Sequence, residues 1–357
     1  MGYIKQLDSV RAIAVILVLF WHWIPRNSFI NQFQTGPFGV AVFFVLSGFL
    51  ITKILMENRN RAENLGNKKS MVLKNFYFRR TLRIFPIYYL TIFLVIILYK
   101  PLGLHYSLPE FFSNISYTSN FYLVCHTYWP DLTPHFWSLS VEEQFYLFWP
   151  LIILFIHKNY LLHGIMFFIL TGAVSQFFVS DLEFGFLWTH TCFDALGMGA
   201  LLAWMTVYRP SFLRKAFLII SIMAAAAVII IVLEIIGLRF FHQWRLLHSI
   251  IGAWVICYII RFRETRSWLT ILLSNRLLIW IGKISYGIYL YHVLYFYVFW
   301  KLFSIYIFPL WSHLDPSLIP WLFLLVNVWI LFFFCWLSWI VIEKPLLGFK
   351  RKFRYQD

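Results

Sequence analysis

The feature that most constrains this chain is a succession of apolar runs about 20 residues long. A segment of that length can cross the hydrocarbon of a bilayer as a helix, where every backbone group must be satisfied within the segment. Such runs fall near residues 8–25, 36–56, 81–99, 141–157, 161–178, 190–207, 214–233, 246–262, 278–299 and 319–343. They predict an all-α polytopic membrane protein with about ten transmembrane helices. Composition agrees, since 61% of the 357 residues are hydrophobic and only 13% are charged, with a mean hydropathy of +0.74. Soluble domains carry roughly twice that share of charge. The first run does not read as a cleaved signal peptide, because the bulky "WHWIPRNSF" that follows offers no small residues for cleavage. No repeat or soluble-type stretch interrupts the runs, so one domain over 1–357 is expected.

A net charge of +15 would suit nucleic acid, but its distribution points elsewhere. With the N-terminus inside, 25 of the 30 lysines and arginines fall on one side of the membrane. The other side keeps Arg26, Lys100, Arg239, Arg245 and Lys301, together with Glu110, Asp131, Asp181, Glu183, Glu234 and Asp315. This asymmetry predicts that both termini are cytoplasmic and that the basic residues meet membrane lipid, with no nucleic-acid partner. Two long connections, 53–80 inside and 100–140 outside, are expected to be functional or irregular. The four cysteines show no metal-like spacing. Isolated thiols are the default for such cysteines; Cys125 and Cys192 both project outside, which would permit a disulfide in an oxidising compartment.

Several polar residues are out of place in oil. In "LDSVRAIAVILVLFWH", Asp8, Arg11 and His22 are spaced at close to whole helical turns and share one face. That face must look at protein or water. Arg79, Arg80 and Arg83 head a run that leads into "IFPIYYL". Their guanidinium forks suit a phosphorylated ligand, or equally a lipid headgroup. In "HFWSLSVEEQFYLFWP", Ser140 and Glu143 have the spacing of a capping box. Glu142 is left unexplained by that motif, although first-turn acids also complement the helix dipole. His22 and His292 lie within runs and are candidates for function or for a structural hydrogen bond, whereas His105, His126, His135, His190, His242, His248 and His313 fall in the outer half or its loops. The outer aromatics Tyr128, Trp129, Trp137 and Trp188 would suit sugar rings or an interfacial belt.

In order along the chain, "LDSVRAIAVILVLFWH", "GVAVFFVLSGFLIT", "FYFRRTLRIFPIYYL", "HFWSLSVEEQFYLFWP", "ISYGIYLYH" and "EKP" resemble the motifs of the acyltransferase 3 family of integral membrane O-acyltransferases. The resemblance covers essentially the whole chain. It implies transfer of an acyl group, usually acetyl, from cytoplasmic acetyl-CoA to a hydroxyl of an envelope glycan in the cytoplasmic (inner) membrane of a bacterium. Acetyl-CoA would be a substrate, with no tightly bound cofactor and no metal. The resemblance puts functional weight on Arg11, His22, Arg80, Arg83 and Glu142. Ser47, His135, Glu143, Tyr289 and His292 lie inside the matching motifs and are expected to support the site. Ser9 stands where the family often has Gly, and Ala41 where an acid is common, which removes any acidic role there. Some relatives carry a fused hydrolase-like domain. This chain looks like stand-alone members that modify lipopolysaccharide O-antigen sugars, alone or with a separate partner protein.

The expected mechanism follows. Arg11 and His22 are separated by roughly 16 Å along a helix. Acetyl-CoA would dock its phosphates on Arg79, Arg80 and Arg83 and extend its thioester past Arg11. His22 would act as general base or as nucleophile, oriented by Glu142 in the manner of a triad carboxylate. Asp8 would neutralise Arg11. A charged stripe in a helical bundle is also the mark of a transporter or flippase. The predicted topology is directly testable. In a chain without other cysteines, Lys68→Cys should react with an impermeant maleimide only from the cytoplasmic side, and His105→Cys only from outside; labelling of both from one side would refute it.

Overall fold

The computed structural model describes residues 3–25, 28–179, 182–238, 244–307, 309 and 319–349. Arg26, Asp181, Arg239, His242, His313, Asp315 and the basic tail from Lys350 to Arg354 lie outside the described residues. Each of the ten apolar runs falls on a helix. In chain order the helices are α1 (Gln6–Trp23), α2 (Thr35–Asn64), α3 (Lys69–Leu102), α4 (Leu108–Ile115), α5 (Ser119–His126), α6 (Phe136–Phe155), α7 (Leu161–Phe178), α8 (Phe193–Tyr208), α9 (Leu213–Ile235), α10 (Trp244–Phe262), α11 (Trp268–Leu272), α12 (Arg276–Leu302), α13 (Ile319–Ser338) and α14 (Lys344–Gly348). Among the described residues there is no strand, and nine helical segments are long and apolar enough to cross a membrane. The chain is a multi-pass membrane protein. The helix expected to make a tenth crossing, α6, is present but is not one of the nine. Its first half carries Ser138, Ser140, Glu142, Glu143 and Gln144, and α6 is largely enclosed by protein, with Phe136, Phe145, Trp149 and Ile153 fully buried.

At the centre, α1 packs between α2 and α12, while α2 also lies against α8, α10, α6 and α3. Two glycines permit this closeness. A Cβ on Gly282 of α12 would stand 1.9 Å from the Asp8 carbonyl oxygen of α1, and one on Gly199 of α8 would stand 2.0 Å from the Val45 carbonyl oxygen of α2. Helices in lipid associate through such small-residue contacts because lipid offers no hydrophobic drive to bring them together. The periphery is different: α7 and α9 present Phe167, Phe178, Leu218, Ile222 and Ile229 outward, as lipid-facing surfaces require.

The segment 53–80 is not an irregular connection. Helix α2 continues to Asn64 and α3 begins at Lys69, so both helices run on past their apolar stretches. Pairs spaced i,i+4 support the extension, Lys53 with Glu57 at 2.8 Å and Arg59 with Glu63 at 2.9 Å. Glu63 also binds Lys69 at 2.9 Å and Lys158 at 2.6 Å. Some of the basic residues expected to meet lipid are therefore structural. The outer segment 100–140 likewise contains α4 and α5, joined to the bundle by the Tyr88 hydroxyl, which donates to the Asn114 carbonyl at 2.7 Å.

Arg59 does more than pair with Glu63. Its buried guanidinium donates to the carbonyls of Ile153 and Ile156, both at 2.7 Å. These belong to the C-terminal end of α6, where carbonyls lose their intrahelical partners. Removing the donor strands those carbonyls in a dry interior. Arg59→Met should therefore destabilise the protein by about 1–3 kcal/mol, whereas Lys68→Met, at an exposed turn, should have little effect. Thermal unfolding in detergent measures both.

Candidate active site

Two cavities lie among the helices: α1, α2, α3, α6 and α12 line the smaller, and α1, α2, α6, α7, α10, α12 and the outer loops line the larger. The smaller, about 90 Å³, is lined by Arg11, Ser47, Arg80, Arg83, Glu142, Glu143 and Tyr146 among others. The larger, about 880 Å³, is lined by His22, His135, Arg245 and a set of aromatic rings that includes Trp21, Trp129, Trp137 and Phe186. Val40 and Tyr289 line both. They form the wall between a basic chamber and an aromatic one.

The basic chamber is assembled from five helices. On α1, Arg11 donates to Asp8 at 2.5 Å, and the Tyr3 hydroxyl donates to the other oxygen of the same carboxylate. The pairing expected from the sequence is present. On α3, Arg80 and Arg83 are three residues apart and reach the same cavity, whereas Arg79 does not line it. The Arg80 guanidinium sits 5.0 Å from the Tyr146 ring centroid, a cation–π contact. On α6, Glu142 accepts from the Ser47 hydroxyl of α2 at 2.6 Å and from the Tyr146 hydroxyl at 3.2 Å. Glu143 also faces the chamber, and its Oε1 has no hydrogen-bond partner among the described residues. Three guanidinium groups thus converge on a cavity where Glu142 is held by hydroxyls.

Three imidazoles meet at the aromatic chamber. The His22 and His292 rings lie 4.8 Å apart in an edge arrangement, and His292 and His135 lie 4.6 Å apart. Each directs one nitrogen at a backbone carbonyl: His22 Nδ1 at Val18 (2.9 Å), His292 Nδ1 at Tyr289 (2.7 Å) and His135 Nε2 at Leu290 (3.1 Å). A carbonyl oxygen only accepts, so the facing nitrogen carries the proton and the opposite one keeps its lone pair. For His22 that lone pair is on Nε2. His135 and His292 are 3% and 0% exposed, whereas His22 is exposed into the cavity. Of the three, His22 is the ring that a bulky molecule can reach. Tyr289 is fixed beside them by the Ser138 hydroxyl at 2.5 Å and the His135 carbonyl at 3.3 Å.

Two expectations need correction. Glu142 does not orient His22: the carboxylate lies in the basic chamber on Ser47 and Tyr146, and the His22 ring is oriented by its own helix through Val18. Ser140 and Glu143 do not form a capping box, because α6 starts at Phe136. Ser140 is already inside the helix, bonded to Ser119 at 2.8 Å and to the Phe136 carbonyl at 3.2 Å. Cys125 and Cys192 are both free; Cys192 is buried against Arg245 at 3.0 Å. Of the outer aromatics, Trp129 and Trp137 line the large cavity, whereas Tyr128 and Trp188 do not. Tyr146, Ser138 and Arg245 were not singled out as site residues from the sequence. Only Tyr146 had a visible signal, its i,i+4 spacing from Glu142.

Residues 4–343 match the acyltransferase domain of the acyltransferase 3 family. The chain is 30% identical over 318 residues to the peptidoglycan O-acetyltransferase OatA of Listeria monocytogenes, covering 81% of this chain and 49% of that protein. It is 29% identical over 323 residues to the O-acetyltransferase OatA of Staphylococcus aureus, covering 81% of this chain and 50% of that protein. The chain therefore spans about half the length of these relatives. No solved structure matches it.

The wall between the chambers can be tested by itself. Ser285 lines the basic chamber. In a Cys125→Ser background, a Ser285→Cys thiol should react severalfold faster with an impermeant methanethiosulfonate added on the His22 side once Tyr289 is replaced by Ala. An unchanged rate would show that the wall does not depend on Tyr289.

Proposed function

The chain belongs to the acyltransferase 3 family, and from that premise we propose that it moves an acetyl group from acetyl-CoA in the cytoplasm to a hydroxyl of an envelope glycan on the far side of the bacterial cytoplasmic membrane. The observation that carries this reading is the pair of chambers, one cationic and one aromatic, separated by Tyr289 and Val40. A polyphosphate donor and a sugar acceptor call for surfaces of these two kinds. The basic chamber opens, in this reading, to the cytoplasm, in keeping with the predicted topology.

In this scheme Arg80 and Arg83 hold the donor phosphates through charge-assisted hydrogen bonds. Arg11, already balanced by Asp8, lines the route of the thioester arm. Glu142, with Ser47 and Tyr146, shapes the donor side and offsets the guanidinium charge. The acyl carbon passes Tyr289 to reach His22. There His22 Nε2 takes the proton of the glycan hydroxyl as that oxygen attacks the thioester carbon. The C–O bond forms, the C–S bond breaks, and the departing thiolate receives the proton from the imidazolium. The relatives' names favour peptidoglycan as the acceptor over the O-antigen sugar suggested by the sequence; comparison of glycan acetylation in cells with and without the gene distinguishes them.

Purified protein given labelled acetyl-CoA and a glycan acceptor should transfer label, and its failure to do so while folded would refute the reading. His22→Ala should lower transfer by about 10²–10⁴-fold, the usual contribution of a general base, with donor affinity nearly unchanged. Label trapped on His22 in the absence of acceptor would replace the base by a nucleophile. Arg80→Ala with Arg83→Ala should instead weaken acetyl-CoA binding by about tenfold or more; unchanged affinity would make these arginines lipid anchors.

A further inference from the structure

Arg245, at the start of α10, is the only lysine or arginine among the described residues lining the large cavity. Its guanidinium is held as a fixed plane. The carbon at its centre lies 5.6 Å from the Trp137 ring and 5.6 Å from the Phe186 ring, and both rings line the same cavity. Nη1 donates to the Thr191 hydroxyl and the Cys192 sulfur, each at 3.0 Å. Nε and Nη2 have no hydrogen-bond acceptor among the described residues, and no carboxylate lies within 4 Å to form an ion pair. Asp194, fully buried on α8, lies near Arg245 without occupying the fork. The cavity's own acids, Asp131 and Glu183, are likewise beyond ion-pair distance. A half-buried guanidinium, held between two rings and facing the cavity with uncommitted donors, is suited to a planar carboxylate or a phosphate, and the surrounding indoles supply faces for sugar rings.

We propose that Arg245 forms an oxyanion subsite in the acceptor cavity, so that the glycan carries a negative group beside its reactive hydroxyl. Two sources share this chemistry: the carboxylate of an acidic sugar, and the phosphate through which a sugar is joined to a lipid carrier. The assignment rests on the acyltransferase reading, because it takes the large cavity as the acceptor's seat.

The full chain in lipid nanodiscs can be tested by equilibrium binding with two matched pairs of probes, digalacturonate against its dimethyl ester and chitobiose 1-phosphate against chitobiose. The wild type should bind at least one anionic probe about tenfold or more tighter than its neutral counterpart, the worth of a charge-assisted hydrogen bond. Arg245→Gln should erase that preference while leaving neutral-probe affinity nearly unchanged. Arg245→Lys, which keeps the charge without the fork, should retain part of it and guards against a Gln variant that fails to fold. Preference for the uronate alone assigns the sugar carboxylate, and preference for the phosphate alone assigns the carrier. Equal binding of charged and neutral probes, binding of none, or a preference that survives in Arg245→Gln overturns the proposal. These readouts do not use acetyl-CoA, so an oxyanion preference in a protein that transfers no label would retain the subsite and remove the function.

Discussion

A charge inside a membrane protein must be neutralised or wetted, and much of this architecture follows from that. The pair between Asp8 and Arg11 on α1 is the clearest instance. It exists because the two residues are one turn apart, and it is buried because Gly282 lets α12 come against the backbone of Asp8. With its charge offset locally, Arg11 can face a cavity shared with Arg80 and Arg83. An isolated guanidinium at this depth would be expelled to the interface or would disrupt the packing. The helix that contains the stripe is thereby held in one rotational setting, which also fixes where His22 emerges, three turns further along.

The same constraint sorts the other polar groups. Arg59 and Glu63 resemble Arg80 and Arg83 in the sequence, since all are charges beside apolar runs. Their fates differ because Arg59 meets the open end of α6, where carbonyls need donors, and Glu63 collects three cations. Arg80 and Arg83 meet a cavity. Burial of Arg59 against the end of α6 serves the fold, and the partial exposure of Arg80 and Arg83 leaves donors for a ligand. Histidines divide in the same manner. His135 and His292 are sealed within the protein with one nitrogen tied to a carbonyl, while His22, tied in the same way, opens into the larger chamber.

Two chambers meeting at a wall of Tyr289 and Val40 suit chemistry that must cross a membrane without opening it. A continuous pore would leak ions. A wall made of Tyr289 and Val40, braced by Ser138 and the His135 carbonyl, keeps the chambers apart and brings the groups that line them within reach of one boundary. The aromatic lining on one side and the guanidinium groups on the other impose different ligand chemistries on the two sides.

By itself, the sequence determined what depends on local spacing and on solvent. Runs of about 20 apolar residues must become helices in oil, so each of the ten runs lies on a helix. Offsets of 3, 11 and 14 residues put Asp8, Arg11 and His22 on one face, and the pairing of Asp8 with Arg11 needed only neighbours on a single turn. What spacing cannot encode is which helix stands opposite which. The separation of Glu142 from His22, the meeting of His22 with His292 and His135, the start of α6 at Phe136 and the seating of Arg245 between Trp137 and Phe186 were decided by tertiary packing. Close approach of helices at glycines brings together residues more than 100 positions apart, and nothing local records that approach.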